Sequence, residues 1–183
     1  MLIQPNLIAP LTRGITKTGL ETSYASGDDG ELERGWWFGR LNANNKKRFF
    51  ENEYESGEEV ITDRATGLMW PKDWLSPATL NRTAVNWATA LGWCLGLDYG
   101  GFDDWSLPNI KEIFSLIDLG VQSPCIDTTV FDGALAAANY WSSTSSIVDT
   151  TTAYRLLVGS GIFLTTSIKV STNLYFVPCR KAI

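Results

Sequence analysis

The sequence predicts an α+β domain, with two helices in the first two thirds of the chain and a series of short antiparallel strands after them. Three observations carry this. Apolar residues recur at helical spacing in the stretches 81–97 and 109–120. From residue 139 onward, short runs rich in Tyr, Phe, Ile, Leu, Val and Thr follow one another, each bounded by Ser, Thr, Gly or Asp. Sixteen glycines in 183 residues supply the tight turns that such an order needs.

Each element has its own signal. Residues 1–59 are rich in Gly, Asn, Asp, Glu and aromatics. They predict an irregular segment lying on the core, anchored by Trp36, Trp37 and Phe38, ahead of a folded domain over 60–183. Within that segment, the basic run NNKKR at 44–48 and the acidic run at 51–59 predict solvated loops. EEVITDRATGLMW, at 58–70, reads as two strands about a DRATG turn, with Val60 and Thr62, then Leu68 and Trp70, in alternation. After a loop with two prolines, 81–97 predicts the first helix. Asn81 or Thr83 would cap it, Val85, Trp87, Ala88, Leu91, Cys94 and Leu95 would form its apolar side, and Gly96 would end it. The second helix, 109–120, starts at Asn109 with Glu112 placed as a capping-box partner, and Ile110, Ile113, Phe114 and Ile117 make its apolar face. Strands are predicted at 139–144, 153–158, 161–166 and 174–180.

Composition narrows the functions available. A chain of 183 residues folds as one unit and buries roughly 70% of the surface its unfolded form exposes, so it needs no metal or disulfide merely to fold. The net charge is −5, which argues against nucleic acid or an anionic membrane as a partner. There is no histidine, which removes Ser-His and Cys-His catalysis and histidine metal sites. The cysteines, Cys94, Cys125 and Cys179, are too far apart for a zinc knuckle or a redox pair. One disulfide plus a free thiol, and three buried thiols, both remain open. No apolar run approaches the ~20 residues of a membrane span, and no signal peptide is visible at the start of the chain. No cofactor or metal is expected.

The motifs VITDRATGLMW, GGFDDWSLPNIKEIFSLID, YWSST and a closing VPCR occur in that order. Together they resemble the Lcl C-terminal domain family over residues 16–180, and the family's D-x-x-TGLMW, DWRLPN and YWSST signatures are met at 63–70, 104–109 and 140–144. Ser106 stands where the family has Arg, and one Arg of its closing motif is absent. The resemblance implies a C-type-lectin-like fold, with two helices on a small twisted antiparallel sheet. It also implies a binding module, an adhesin or receptor-recognition unit, acting outside the cell, at a cell surface or on a phage particle. Its partner would be a protein or glycan, and homo-oligomers are compatible with it. The EPN, QPD and WND signatures of calcium-dependent sugar binding are absent, so calcium-independent binding is expected. The enzymatic relatives are the formylglycine-generating enzymes, and an enzyme is not the expectation here. In the implied fold Cys94 and Cys179 lie near each other and are bonded in an oxidising compartment; Cys125 has no implied partner.

Trp70, Trp105 and Trp141 sit inside these motifs at positions with the pattern of buried residues, and are read as core. Asp104 and Glu112 are read as satisfying local backbone donors, and Arg180 as neutralising a carboxylate. The chain from 145 to 176 contains no Glu, Gln, Met or Trp, and a single Lys, Lys169. The remaining residue types are those reached by mutating the adenines of AAC or AAT codons, as in the variable segments of diversity-generating retroelements. A Thr-rich sheet of short strands avoids the same residues by β-propensity. Small polar side chains interleaved with Tyr and Phe suit adaptable recognition. The candidate ligand-binding residues are Asp149, Thr151, Tyr154, Arg155, Ser160, Ile162, Thr165, Ser167, Thr172 and Tyr175.

Overall fold

The computed structural model describes residues 15–32, 35, 47–53, 58–75, 83–134, 138–159 and 164–182. Its strands fall into two antiparallel sheets rather than the single sheet expected. β1 (Phe49–Glu53), β2 (Glu59–Asp63), β3 (Leu68–Pro71) and β7 (Arg180–Lys181) form the first, in the order β1-β2-β3-β7. β4 (Asn139–Ser145), β5 (Thr152–Leu157) and β6 (Leu164–Ile168) form the second, in sequence order. The described helices, α1 (Asp29–Leu32), α2 (Trp87–Leu95) and α3 (Ile110–Phe114), are short. The α+β class read from the sequence holds.

β2 and β3 are the hairpin that DRATG announces. Gly67 closes it at φ 71°, a backbone angle that favours glycine, and its N–H donates to Asp63 O at 2.7 Å. The alternation expected along these strands is absent, because Val60 and Ile61 are both buried. Val60 packs with Met69, Leu97, Tyr99 and Trp105, while Ile61 packs on the opposite side with Trp70, Trp74 and Ile113. A sheet covered on both faces loses the period-two signal.

The acidic run at 51–59 is not wholly a loop. Its first part lies in β1, which pairs with β2 from Phe49↔Asp63 to Glu53↔Glu59. Nor is Arg48, the end of the basic run, solvated: it is buried, with its guanidinium on Asp63. The anchors Trp36, Trp37 and Phe38 lie outside the described residues.

Both helices are shorter than their patterns suggest. α2 begins at Trp87, capped by Asn86, whose side chain accepts from Thr89 N–H at 2.9 Å. Thr83 does not cap it and Asn81 lies outside the described residues. The cause is tertiary: Val85 donates its N–H to Leu174 O at 2.8 Å and is held extended as a bridge residue. Ala90 and Cys94 are the residues α2 buries, whereas Ala88 and Leu95 are exposed. α3 keeps the expected capping box of Asn109 and Glu112. Past Phe114 the backbone tightens into turns, Leu116 N–H to Ile113 O and Ile117 N–H to Phe114 O, and then bonds elsewhere, Asp118 N–H to Cys125 O and Leu119 N–H to Thr18 O.

The stretch from Leu174 to Lys181 ties the two sheets together. Tyr175 exchanges backbone hydrogen bonds with β4, at 2.8 Å both to Trp141 and to Asn139. Cys179 pairs with Ser106, and β7 then joins β3 with Met69 opposite Arg180. Along β4 and part of β5 the second sheet is also covered on both faces, while Arg155, Thr165 and Ser167 are half-buried. Tyr140 and Leu156 join the cluster of Trp74 and Phe131, whereas Trp141 and Ala153 join the cluster of α2, Leu174 and Phe176.

Candidate functional site

The polar residues of the late strands divide between different places, and the register decides which. In the second sheet Trp141 lies opposite Arg155, and Arg155 opposite Thr165; Ala153 lies opposite Ser167. Side chains alternate along a strand, so Asn139, Trp141, Arg155, Thr165 and Ser167 share one face. Tyr154, opposite Thr166, points to the other face. Tyr154 and Arg155, neighbours in sequence, therefore belong to different surfaces.

The Arg155 face is backed by α2. Trp141, on this same face, is fully buried where α2 covers it, with its indole N–H donating to Val85 O at 2.9 Å. Trp87, at the start of α2, is half-buried and donates its indole N–H to Ser142 O at 2.8 Å. Lys169 lies over the Trp87 ring, 4.3 Å from its centroid, and its ammonium donates to Thr150 O at 2.8 Å. Arg155, Thr165 and Ser167 are half-buried on this platform.

Two polar atoms here have no hydrogen-bond partner although they are shielded from solvent: Arg155 Nε, a donor, and Asn139 Oδ1, an acceptor. Asn139 is two residues from the cross-strand partner of Arg155, hence its diagonal neighbour on the same face. The indole nitrogens of Trp70 and Trp74 are also unpartnered, but both residues lie in the interior at 0% exposure. The contrast with the two buried arginines is chemical. Arg48 meets Asp63 through Nε at 2.9 Å and Nη2 at 2.7 Å, and Arg180 meets Asp104 through Nε and through Nη2, the latter at 3.1 Å. Among the described residues no carboxylate closes the Arg155 guanidinium.

The other candidates do local work. Asp149 accepts from the N–H of Thr151 at 2.9 Å and from its hydroxyl at 2.6 Å, closing the β4–β5 turn. The Thr151 hydroxyl and backbone N–H hold the Asp149 carboxyl below its usual range. Thr172 is exposed, and Tyr175 is half-buried with its ring 6.2 Å from that of Tyr140. Ser160 and Ile162 lie outside the described residues. Asn139 and Trp87 are the members of this face that sequence reasoning passed over. In the sequence Trp87 reads as a helix core position, and Asn139 is signalled only by standing directly before YWSST.

Trp70, Trp105 and Trp141 lie in the core at 1% exposure or less. The Trp105 indole donates to Tyr99 O at 3.0 Å. Cys94, Cys125 and Cys179 are all free and buried. Burial pushes the Cys94 and Cys179 thiols well up, and for Cys179 the charges of Glu112 and Cys94 add to the effect. Among the described residues no three His, Cys, Asp or Glu converge as a metal site, and no helix is long and apolar enough to cross a membrane.

Two antiparallel sheets with a few short helices, tied together by a C-terminal stretch, define a small α+β domain carrying a half-buried polar face. The model of one family, the Lcl C-terminal domain, matches residues 59–180, from the first residue of β2 to the first of β7. The chain belongs to that family. No curated protein matches it.

Proposed function

We propose that this domain is a calcium-independent ligand-binding module of C-type-lectin-like fold, an adhesin or receptor-recognition unit, whose recognition surface is the Arg155 face of the second sheet. One observation carries the reading: the shielded Arg155 Nε and Asn139 Oδ1, on one face, lack partners. Folded proteins leave few such groups, and those at functional sites are often completed by a bound molecule. A ligand hydroxyl accepts from the guanidinium and donates to the amide oxygen at once. A glycan or a protein side chain supplies that group, with Thr165 opposite Arg155 and Ser167 further along the same face, and the Trp87–Lys169 pair lies beyond them at the start of β5. The composition of 145–176 supports a surface built for variation, of the kind retroelements diversify. The module acts outside the cell, at its surface or on a phage particle.

The reading involves no chemistry on the ligand. Formylglycine-type oxidation works through a reactive cysteine pair, and desolvated thiols with raised pKa are poor nucleophiles. An assembly role, with the same face between copies, is the other reading to be separated.

The test is a binding screen of the intact chain against polysaccharides, sulfated glycans and bacterial cells, with and without EDTA. Arg155→Ala and Tyr154→Ala are compared singly, because they lie on opposite faces. Binding that survives EDTA, is lost in Arg155→Ala and is kept in Tyr154→Ala is the expected result. Loss in Tyr154→Ala alone would move the site to the opposite face, and loss on chelation would assign a metal. A concentration-dependent oligomer dispersed by Arg155→Ala would favour assembly.

A further inference from the structure

A second surface, unrelated to the Arg155 face, lies where the chain before α1 passes α3. Three large apolar side chains from separate segments stay in water there: Ile15 at 88% exposure, Phe114 at 41% and Leu119 at 38%. They line one groove of about 580 Å³, together with the buried Ile117. That volume lies within the range of small-molecule sites, roughly 300–1,000 Å³.

The groove is built rather than incidental. The capping box fixes where α3 starts, and Ile113 turns one side of it into the core, which leaves Phe114 on the other side. Leu119 is fixed opposite by its N–H bond to Thr18 O at 2.6 Å, which also holds the 15–18 wall. Exposed apolar residues scattered singly need no account, but three gathered from distant segments around one concavity mark a contact site.

Charge says what it would hold. Among the described residues, the charged ones lining the groove are Lys17 and Lys111, both cations, in a chain of net charge −5. Lys111 is exposed, one turn from Phe114. An apolar trough with cations and, among the described residues, no carboxylate in its wall complements a molecule with an apolar body and an anionic end. We propose that this groove binds a monomeric single-chain amphiphile with an anionic head, of the fatty-acid class, its tail against Ile15, Phe114 and Leu119 and its head toward Lys111.

The test uses decanoate, below its micelle concentration, in a calorimetric titration of the intact chain, with decanol as the uncharged arm. Saturable 1:1 binding of decanoate is expected. Phe114→Asp should weaken it by about tenfold or more, since burial of the chain against the ring is lost and a like charge is introduced. Phe114 is partly exposed, so the variant should fold, and its melting temperature checks this. Lys111→Glu, at a solvated position, should weaken decanoate several-fold and leave decanol unchanged. Absence of saturable decanoate binding would overturn the proposal, as would equal affinity in Phe114→Asp. Equal loss of decanol and decanoate in Lys111→Glu would remove the anionic head from it. Binding to anionic phospholipid vesicles without binding of monomer would assign the groove to a membrane surface instead. A dimer that Phe114→Asp dissociates would make it an interface between copies.

Discussion

Asp63 accepts two hydrogen bonds from Arg48, one from Ala65 N–H at 2.9 Å and one from the Thr66 hydroxyl at 2.8 Å, at 0% exposure. The Arg48 Nη2 also donates to Ser115 O at 2.8 Å, so one ion pair joins the β2–β3 turn to the end of α3. A buried charge left without its partner is costly. Asp63→Asn, which keeps the shape and removes the charge, should destabilise the domain by about 3–5 kcal/mol, read from the urea midpoint. Tyr99 gives a pH signature. Burial, with the charge of Glu58 adding to it, raises its phenol to about 12, and its hydroxyl donates to Glu59 O at 3.2 Å. An unfolded tyrosine titrates near about 10, so the folded state favours the neutral phenol. That stability is complete below pH ~10 and is lost as pH rises through about 12. Tyr99→Phe should flatten the fall of the melting temperature across this window, and a fall as steep as in the parent chain would assign it to another group.

At the scale of the element, α3 depends on its cap. A helix of five residues has no stability of its own. Asn109 accepts from Lys111 N–H at 2.9 Å and Glu112 N–H at 3.0 Å, while Glu112 accepts from Asn109 N–H at 2.8 Å. Asn109→Ala should therefore cost about 1 kcal/mol although the residue is exposed. Chemical denaturation measures it, and a neutral result would mean that packing of Ile113 alone holds the helix. The motifs serve elements in the same way. DRATG closes the β2–β3 hairpin, LPN enters α3, and YWSST is β4, whose Trp141 and Tyr140 feed opposite cores.

Across the molecule, the three cysteines report cooperativity. Cys94 lies in the α2 cluster, while Cys125 and Cys179 lie in the main core between the sheets. A thiol probe should label none of them in native buffer at neutral pH, and all three together at the denaturant concentration that unfolds the tryptophans. A thiol that reacts in native buffer would reopen the enzymatic reading. Trp105→Ala should cost about 3–5 kcal/mol, because its ring fills the cluster of Val60, Met69, Leu97 and Tyr99. The variant's urea curve checks it, and a fold left intact with binding lost would make Trp105 a contact residue instead.

The sequence by itself determined the α+β class, the β2–β3 hairpin, the capping box of α3 and strands β4 and β5, because turn residues, caps and apolar runs are short-range signals; of the strand expected at 174–180 only Arg180 lies in one, β7. It also carried the family, through motifs met in order. Tertiary structure decided the rest. Two sheets in place of one, and strand ends such as Val60–Ile61 buried on both faces, follow from cores lying on each side of each sheet, where alternation disappears. The partner of Arg48 lies 15 residues away in sequence, so its burial was not legible locally; that Arg180 neutralises a carboxylate was legible, but not that the carboxylate is Asp104, 76 residues away. The candidate face needed register above all. Only the pairing of Trp141 with Arg155 and of Arg155 with Thr165 separates Arg155 from Tyr154 and sets it beside Asn139, because one step along a strand moves a side chain to the opposite side of the sheet.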